Sequence, residues 1–347
     1  MSAASVRDIA TAAKHASRSL ASLDGAKRNG VLEAMASALE RCANYLVTAN
    51  HHDVQSTSGR GGADTLPEST LARLRLTEQK LREMIDQVRS VRALPDPLNR
   101  TLDAVELDEG LDLEKISVPL GVLAVIFEAR PDAVTQIASL AIKSGNAVIL
   151  KPGREVEHTA TAIVRVLRGA LESQGVAEDA ISLVLGRGEV SELLSMRDVV
   201  DMVIPRGSKA LVEYVQANTR IPVLGHSEGV CHIYVDRAAD QELALHVIED
   251  AKLDYPAACN AVETVLVHRE IANEFLPKLL DALRARGVAL RGDEQVRRAG
   301  GDVQVVTDWH CEYGAPELAI RVVESLDAAI EHIQAHGSAH TESILTE

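Results

Sequence analysis

Aromatic side chains are almost missing from this sequence: one Trp, two Phe and five Tyr make up 2% of its 347 residues. A core without large rings has to be filled by Ala, Val, Leu and Ile, which dominate the 46% of the chain that is hydrophobic. That composition suits helices packed on a parallel sheet of small, branched side chains. Cysteine is scarce too. Cys42, Cys231, Cys259 and Cys311 lie far apart, without Cys-x-x-Cys or Cys/His ligand spacing, which argues against a disulfide framework or a zinc site and for a reducing compartment. Positive charge is in deficit, the formal net charge being −15. No basic stripe is present to release counterions from a phosphate backbone, so a nucleic-acid partner is not expected. Small anions are a separate matter, because a few cations and helix N-termini facing one pocket are enough to bind them. No apolar run approaches the ~20 residues that span a bilayer, and the N-terminus lacks a signal-type apolar core. The expectation is a cytoplasmic chain with no membrane partner.

What is present is periodicity. The length exceeds the roughly 250 to 300 residues at which single cores stop growing, so two domains are expected. From Ser5 to about Arg92 the pattern is helical: Leu32, Met35, Leu39 and Leu46 recur at helical spacing, as do Leu74, Leu81, Ile85 and Val88. Pro95 and Pro97 end the last of these helices. Gly59 to Gly62 reads as a loop, since no strand precedes it. Leu102 to Val118 alternates apolar and acidic residues about Asp108-Glu109-Gly110, a hairpin with one polar face. Strands and helices then alternate. Strands are expected at Val122 to Phe127, Ala147 to Leu150, Ile181 to Leu185, Val199 to Ile204 and Val230 to Val235. A second set follows at Val262 to His268, Leu318 to Val323 and Ser343 to Thr346. Helices are expected at Asp132 to Lys143, Glu157 to Glu172, Asp240 to Leu253, Ile271 to Arg286 and Asp327 to His336. This is the α/β class, built from βαβ units with right-handed crossovers.

Four segments can carry chemistry. Cys259 follows Pro256 and two alanines and precedes Asn260 and a strand, so its thiol lies on a loop of small residues with backbone N–H groups available to an anion. A thiolate is a good nucleophile toward an activated acyl group; the competing reading is a small buried hydrophobe. Lys151-Pro152-Gly153-Arg154 follows a strand, and the carboxyl ends of parallel strands line the crevice where nucleotides bind. Lys151 can serve ribose hydroxyls and Arg154 a phosphate, or the segment is a solvated turn. Arg206-Gly207-Ser208 is a second strand end, with glycine for close approach to a pyrophosphate and Ser208 as the helix cap. An ordinary capped helix reads the same way. Arg130, after the strand ending at Phe127, can hold a carboxylate or phosphate, or pair with Glu128. His226, Glu228 and His232 have no metal-ligand spacing and read as polar loop and sheet residues; no metal is expected.

Taken in order, Val-Ile-Phe-Glu-Ala-Arg-Pro-Asp at 125–132, Ile-Pro-Arg-Gly-Ser at 204–208, Gly-His-Ser-Glu-Gly-Val-Cys-His-Ile-Tyr-Val-Asp at 225–236 and Asp-Tyr-Pro-Ala-Ala-Cys-Asn-Ala-Val-Glu-Thr at 254–264 resemble the aldehyde dehydrogenase superfamily. Within it they resemble the gamma-glutamyl phosphate reductases and the reductase half of the pyrroline-5-carboxylate synthases. The resemblance runs from about Ser5 to Glu347. It implies a Rossmann-like nucleotide domain over 1–226, with a β-hairpin oligomerisation arm at 100–118, and an α/β catalytic domain over 227–347. It also implies reduction of L-glutamyl 5-phosphate to L-glutamate 5-semialdehyde by NADPH with release of phosphate, the second step of proline biosynthesis. Cys259, flanked by Asn260, falls on the family's nucleophile, which passes through a thioester.

Particular positions sharpen the resemblance. Arg154 stands where NAD-using members have Glu, and guanidinium attracts the 2′-phosphate of NADP that a carboxylate repels. Gly225 stands where hydrolytic members keep a general-base Glu, with Glu228 displaced by three residues. Glu228 and Arg130 are expected at the substrate; Ala129 or Arg130 stands where the superfamily has its side-chain oxyanion donor, an Asn, so oxyanion stabilisation is expected from the Cys259 backbone N–H and an unidentified partner. Glu312-Tyr313-Gly314 resembles the Glu-x-Phe-Gly segment that holds the nicotinamide ribose. The family continues past Glu347 with an Asn-Ala-Ser-Thr segment and a strand that pairs with the arm, which implies a catalytic domain cut short. A homo-oligomer is expected of the complete chain, and association with a glutamate 5-kinase is left open. The competing functions are a hydrolytic, NAD-linked semialdehyde dehydrogenase and a non-catalytic paralogue that acts as a binding scaffold.

Overall fold

A computed structural model describes residues 4–58, 71, 73–128, 130–186, 188–225 and 228–347. The expected loop at Gly59 to Gly62, the oxyanion position Ala129 and His226 lie outside the described residues. The chain divides into two compact units, Met1–Gly225 and His226–Glu347.

In the first unit the helices Val6–Ala21, Gly25–Arg41, Ala43–Ser58 and Glu78–Ala93 fill the stretch with helical periodicity. The first is started by a capping box in which Ser5 and Asp8 exchange side-chain and backbone hydrogen bonds. The last stops before Pro95, where Asp96 pairs with the buried Arg28 guanidinium at 2.8 Å. Strands β1 (Thr101–Asp108) and β2 (Leu111–Ile116) pair antiparallel as the expected hairpin. Gly110 supplies the positive φ of 74° that its tight turn requires. Both faces of this hairpin are exposed, the apolar one included.

The sheet of this unit is parallel, in the order β5-β4-β3-β6, from β3 (Val122–Phe127), β4 (Ala147–Pro152), β5 (Ile181–Leu183) and β6 (Met202–Arg206). Its central strands are buried on both faces, which explains their unbroken apolar runs. Leu123, Val125 and Phe127 pack with the helices Gly25–Arg41, Pro131–Lys143 and Glu157–Ser173, whereas Val122, Ala124 and Ile126 pack with Val6–Ala21 on the other side. β6 corrects the expected strand by three residues: Val199 and Val200 are buried in the preceding turn, and pairing with β3 begins at Met202. Phe127 aligns with Pro152 on one side and Arg206 on the other, so three strand ends share one edge.

The second unit has a six-stranded parallel sheet, β10-β9-β11-β8-β7-β12. β7 (Cys231–Val235), β8 (Val262–His268), β11 (Glu317–Val323) and β12 (Glu342–Leu345) follow the sequence pattern, and β9 (Ala289–Gly292) and β10 (Gln304–Val305) add an edge. Helices Gln241–Leu253 and Arg269–Ala285 cover one face through Ile248, Phe275 and Leu279, which pack on Val265 and Val267. No described helix is long and apolar enough to cross a membrane.

Candidate active site

The strand edge of the first unit gathers three of the predicted turns. Lys151 closes β4 with its side chain buried, and its Nζ donates to the Pro152 carbonyl at 2.7 Å. Burial lowers the pKa of this ammonium below that of an ordinary lysine, opposed by the carboxylates of Glu189, Glu155 and Glu157. Gly153 continues the edge, its N–H donating to the Phe127 carbonyl at 2.8 Å. Arg154 opens a short 3-10 turn, Arg154–Val156, and is exposed, its guanidinium having no hydrogen-bond or ion-pair partner among the described residues.

At the end of β6, Arg206 is exposed and its carbonyl accepts from the Glu128 N–H at 3.3 Å. Ser208 occupies the N-cap of the helix Lys209–Asn218 but, against expectation, its side chain makes no capping bond. Across the edge, the Glu128 carboxylate accepts the Ser208 backbone N–H at 3.0 Å. A carboxylate at a helix N-terminus meets unpaired N–H groups and the positive end of the dipole. Gly207 makes room for it, since a β-carbon there would lie 2.5 Å from Glu128 Oε2. Arg130 does not pair with Glu128. It sits exposed at the N-cap of Pro131–Lys143, without a side-chain partner among the described residues.

Cys259 lies in the second unit, on the loop between the helix Gln241–Leu253 and β8. Two turns shape that loop: Ala258 N–H donates to the Tyr255 carbonyl at 2.9 Å and Ala261 N–H to the Ala258 carbonyl at 3.0 Å. The small residues leave the Cys259 side chain exposed. The backbone N–H groups of Cys259 and Asn260 have no hydrogen-bond partner among the described residues, so the expected anion donors are free. The loop is braced from beneath by Gly229, whose β-carbon, were there one, would stand 2.0 Å from the Cys259 carbonyl oxygen. Cys231 adds a second brace, its thiol donating to that carbonyl at 3.2 Å. Burial pushes the Cys231 thiol up to about 11, which keeps it a protonated donor.

Glu312 is exposed and accepts the Gly229 N–H at 3.1 Å, so it stands beside the Cys259 brace. Glu228 is nearly buried and pairs with His310 Nε2 at 2.7 Å, which occupies the carboxylate. His232 is a buried sheet residue, with Nδ1 on Glu342 at 3.0 Å. Among the described residues no group of His, Cys, Asp and Glu has the arrangement to hold a metal ion. The sequence reading passed over one pair altogether: Lys252 and Glu263, at the two ends of the Cys259 loop, form an ion pair of 2.7 Å with both side chains fully buried. Its signal in the sequence is a Glu, the one acidic residue, in the buried strand β8.

The aldehyde dehydrogenase family model matches residues 1–297. A gamma-glutamyl phosphate reductase of Parasynechococcus marenigrum (strain WH8102) is 51% identical over 338 residues, covering 97% of this chain and 77% of that protein. The crystal structure of gamma-glutamyl phosphate reductase from Thermotoga maritima superposes with a TM-score of 0.94 at 35% identity, covering 99% of this chain and 83% of that one. The Saccharomyces cerevisiae enzyme of the same name gives 0.61 at 32% identity, with 100% and 87% covered. The chain therefore belongs to the aldehyde dehydrogenase family, within its gamma-glutamyl phosphate reductase group.

Proposed function

We propose that this chain reduces L-glutamyl 5-phosphate to L-glutamate 5-semialdehyde with NADPH, releasing phosphate through a thioester on Cys259. The observation that carries this reading is the exposed Cys259 thiol on a braced loop, with the Cys259 and Asn260 N–H groups free. Acyl transfer needs that combination. The Cys259 thiolate attacks the acyl carbon, the free N–H groups meet the charge that develops on the carbonyl oxygen, and phosphate leaves with the bonding pair. NADPH, when bound, supplies the hydride that reduces the thioester. Collapse of the resulting hemithioacetal returns the pair to Cys259 sulfur and frees the aldehyde. Neither Gly225 nor Glu228 supplies a general base to activate water: Gly225 has no side chain, and the Glu228 carboxylate is engaged by His310.

The first unit fits a dinucleotide. Lys151 stands at the strand edge for ribose hydroxyls, the free Arg154 guanidinium suits a 2′-phosphate, and Arg206, Gly207 and the N-terminus of Lys209–Asn218 suit a pyrophosphate. Glu312 takes the nicotinamide ribose in this reading. Glu128 is in competition, because its carboxylate holds the Ser208 N–H that a pyrophosphate needs; binding requires it to swing aside. The fully exposed hairpin, with Val105 and Leu113 opposite each other on one face, supports assembly with a second copy of the chain.

The test is Cys259→Ser. Phosphate- and NADP-dependent oxidation of glutamate 5-semialdehyde, the reverse reaction, is expected to vanish while NADPH binding stays nearly intact. Substantial turnover by the serine variant would reject the thioester.

A further inference from the structure

The loop 254–261 is tied at both ends by one buried pair. Lys252, at the end of its helix, donates to Glu263 Oε2 at 2.7 Å and to the Val262 carbonyl at 2.9 Å. Neither charged side chain has any solvent exposure. Glu263 is also engaged on its other oxygen, Oε1, which accepts the Gly314 N–H at 3.2 Å. Gly314 reaches this geometry at a positive φ of 59°. The neighbouring Glu312 accepts the Gly229 N–H, and Gly229 lies against the Cys259 backbone. The contacts close a ring: Cys259 loop, Glu263, the 312–314 segment, Gly229, and the Cys259 loop again.

From this ring we infer that Glu263, held by Lys252, is a positioning residue that sets the Cys259 loop and the Glu312 segment in one fixed arrangement. Stability alone gives no reason for two charges there. Desolvating such a pair costs as much as its attraction returns, and apolar residues of similar volume in its place are often neutral or stabilising. What the charges provide is direction, because a carboxylate accepting from Lys252 on one oxygen and from Gly314 on the other has one orientation. The inference rests on Cys259 being the nucleophile and deepens that reading.

The test replaces both charges at once in the full chain, as Lys252→Met/Glu263→Met, with Lys252→Met/Glu263→Gln as a second variant should the first fold poorly. The folded variant is expected to keep its KM for glutamate 5-semialdehyde while kcat falls about a hundredfold, the cost of a small misplacement of reacting groups. A wild-type kcat in a folded double variant overturns the inference. Hydrogen exchange separates this outcome from failure of the activity itself. Should the unaltered chain not oxidise the semialdehyde, the proposed function falls, and positioning is judged by the bonded amides of Ala258 and Ala261 in the loop and of Gly229, which donates to the Glu312 segment. Faster exchange at both segments in the double variant supports the ring, and unchanged protection at either one rejects it.

Discussion

Gly229 lies beneath Cys259 so closely that a β-carbon would stand 2.0 Å from its carbonyl oxygen and 3.0 Å from its Cα. Those are backbone atoms, which no rotamer change can move aside, so Gly229→Ala must shift the loop. The expected result is a fall in kcat of about a hundredfold, with NADPH affinity unchanged. Steady-state kinetics beside a cofactor titration checks it, and an alanine variant with normal kcat would show that the loop tolerates displacement.

Glu128 and a pyrophosphate compete for the Ser208 N–H. Glu128→Gln removes the negative charge while keeping the shape, and NADPH is expected to bind about fivefold more tightly, since a charge at a helix N-terminus is worth ~1 kcal/mol. Fluorescence titration measures it. Weaker binding would place the Glu128 carboxylate among the supports of the turn.

The Arg154 guanidinium is free to meet a 2′-phosphate, with no partner of its own among the described residues. Arg154→Glu is expected to weaken NADPH far more than NADH, replacing an attraction by a like charge. Equal losses for both cofactors would remove Arg154 from the phosphate site.

Burial holds His332 down to about 3 from the ordinary 6.5, helped by the cationic Arg321, whose Nη1 donates to His332 Nδ1 at 2.6 Å. The unfolded chain therefore binds a proton that the native chain refuses between those values, and stability is lost as pH falls from 6.5 towards 3. His332→Gln removes this loss. Relative to the variant, the wild-type chain is expected to lose about 2 kcal/mol more between pH 7 and pH 5. Urea unfolding at the two pH values measures it, and parallel losses would mean that the ring is protonated in the native state.

The sequence was most legible where one short segment carries its own signal. β3 and β8 have the expected limits because apolar runs with turns on both sides define buried strands, and Gly110 marks the hairpin by its positive φ. Cys259 stood out by its local string, and the structure gives it the exposure and free N–H groups that reading asked for. The remainder depends on partners distant in sequence. Ser208 has every local mark of a cap, yet its helix end is met by Glu128, 80 residues away. Lys252–Glu263 joins charges whose neighbours give no warning of burial, and Glu228 meets His310 from a distant stretch of the chain. β9 and β10 are too short to show a period.

The most direct test of the thioester mechanism withholds phosphate. Glutamate 5-semialdehyde and NADP are mixed with the chain, and NADPH formation is followed by absorbance on the timescale of a single turnover. The account predicts a burst of one NADPH per Cys259, after which the reaction stalls on the acylated thiol until added phosphate restarts it. Steady NADPH formation without phosphate, or a burst that persists in Cys259→Ser, would contradict it.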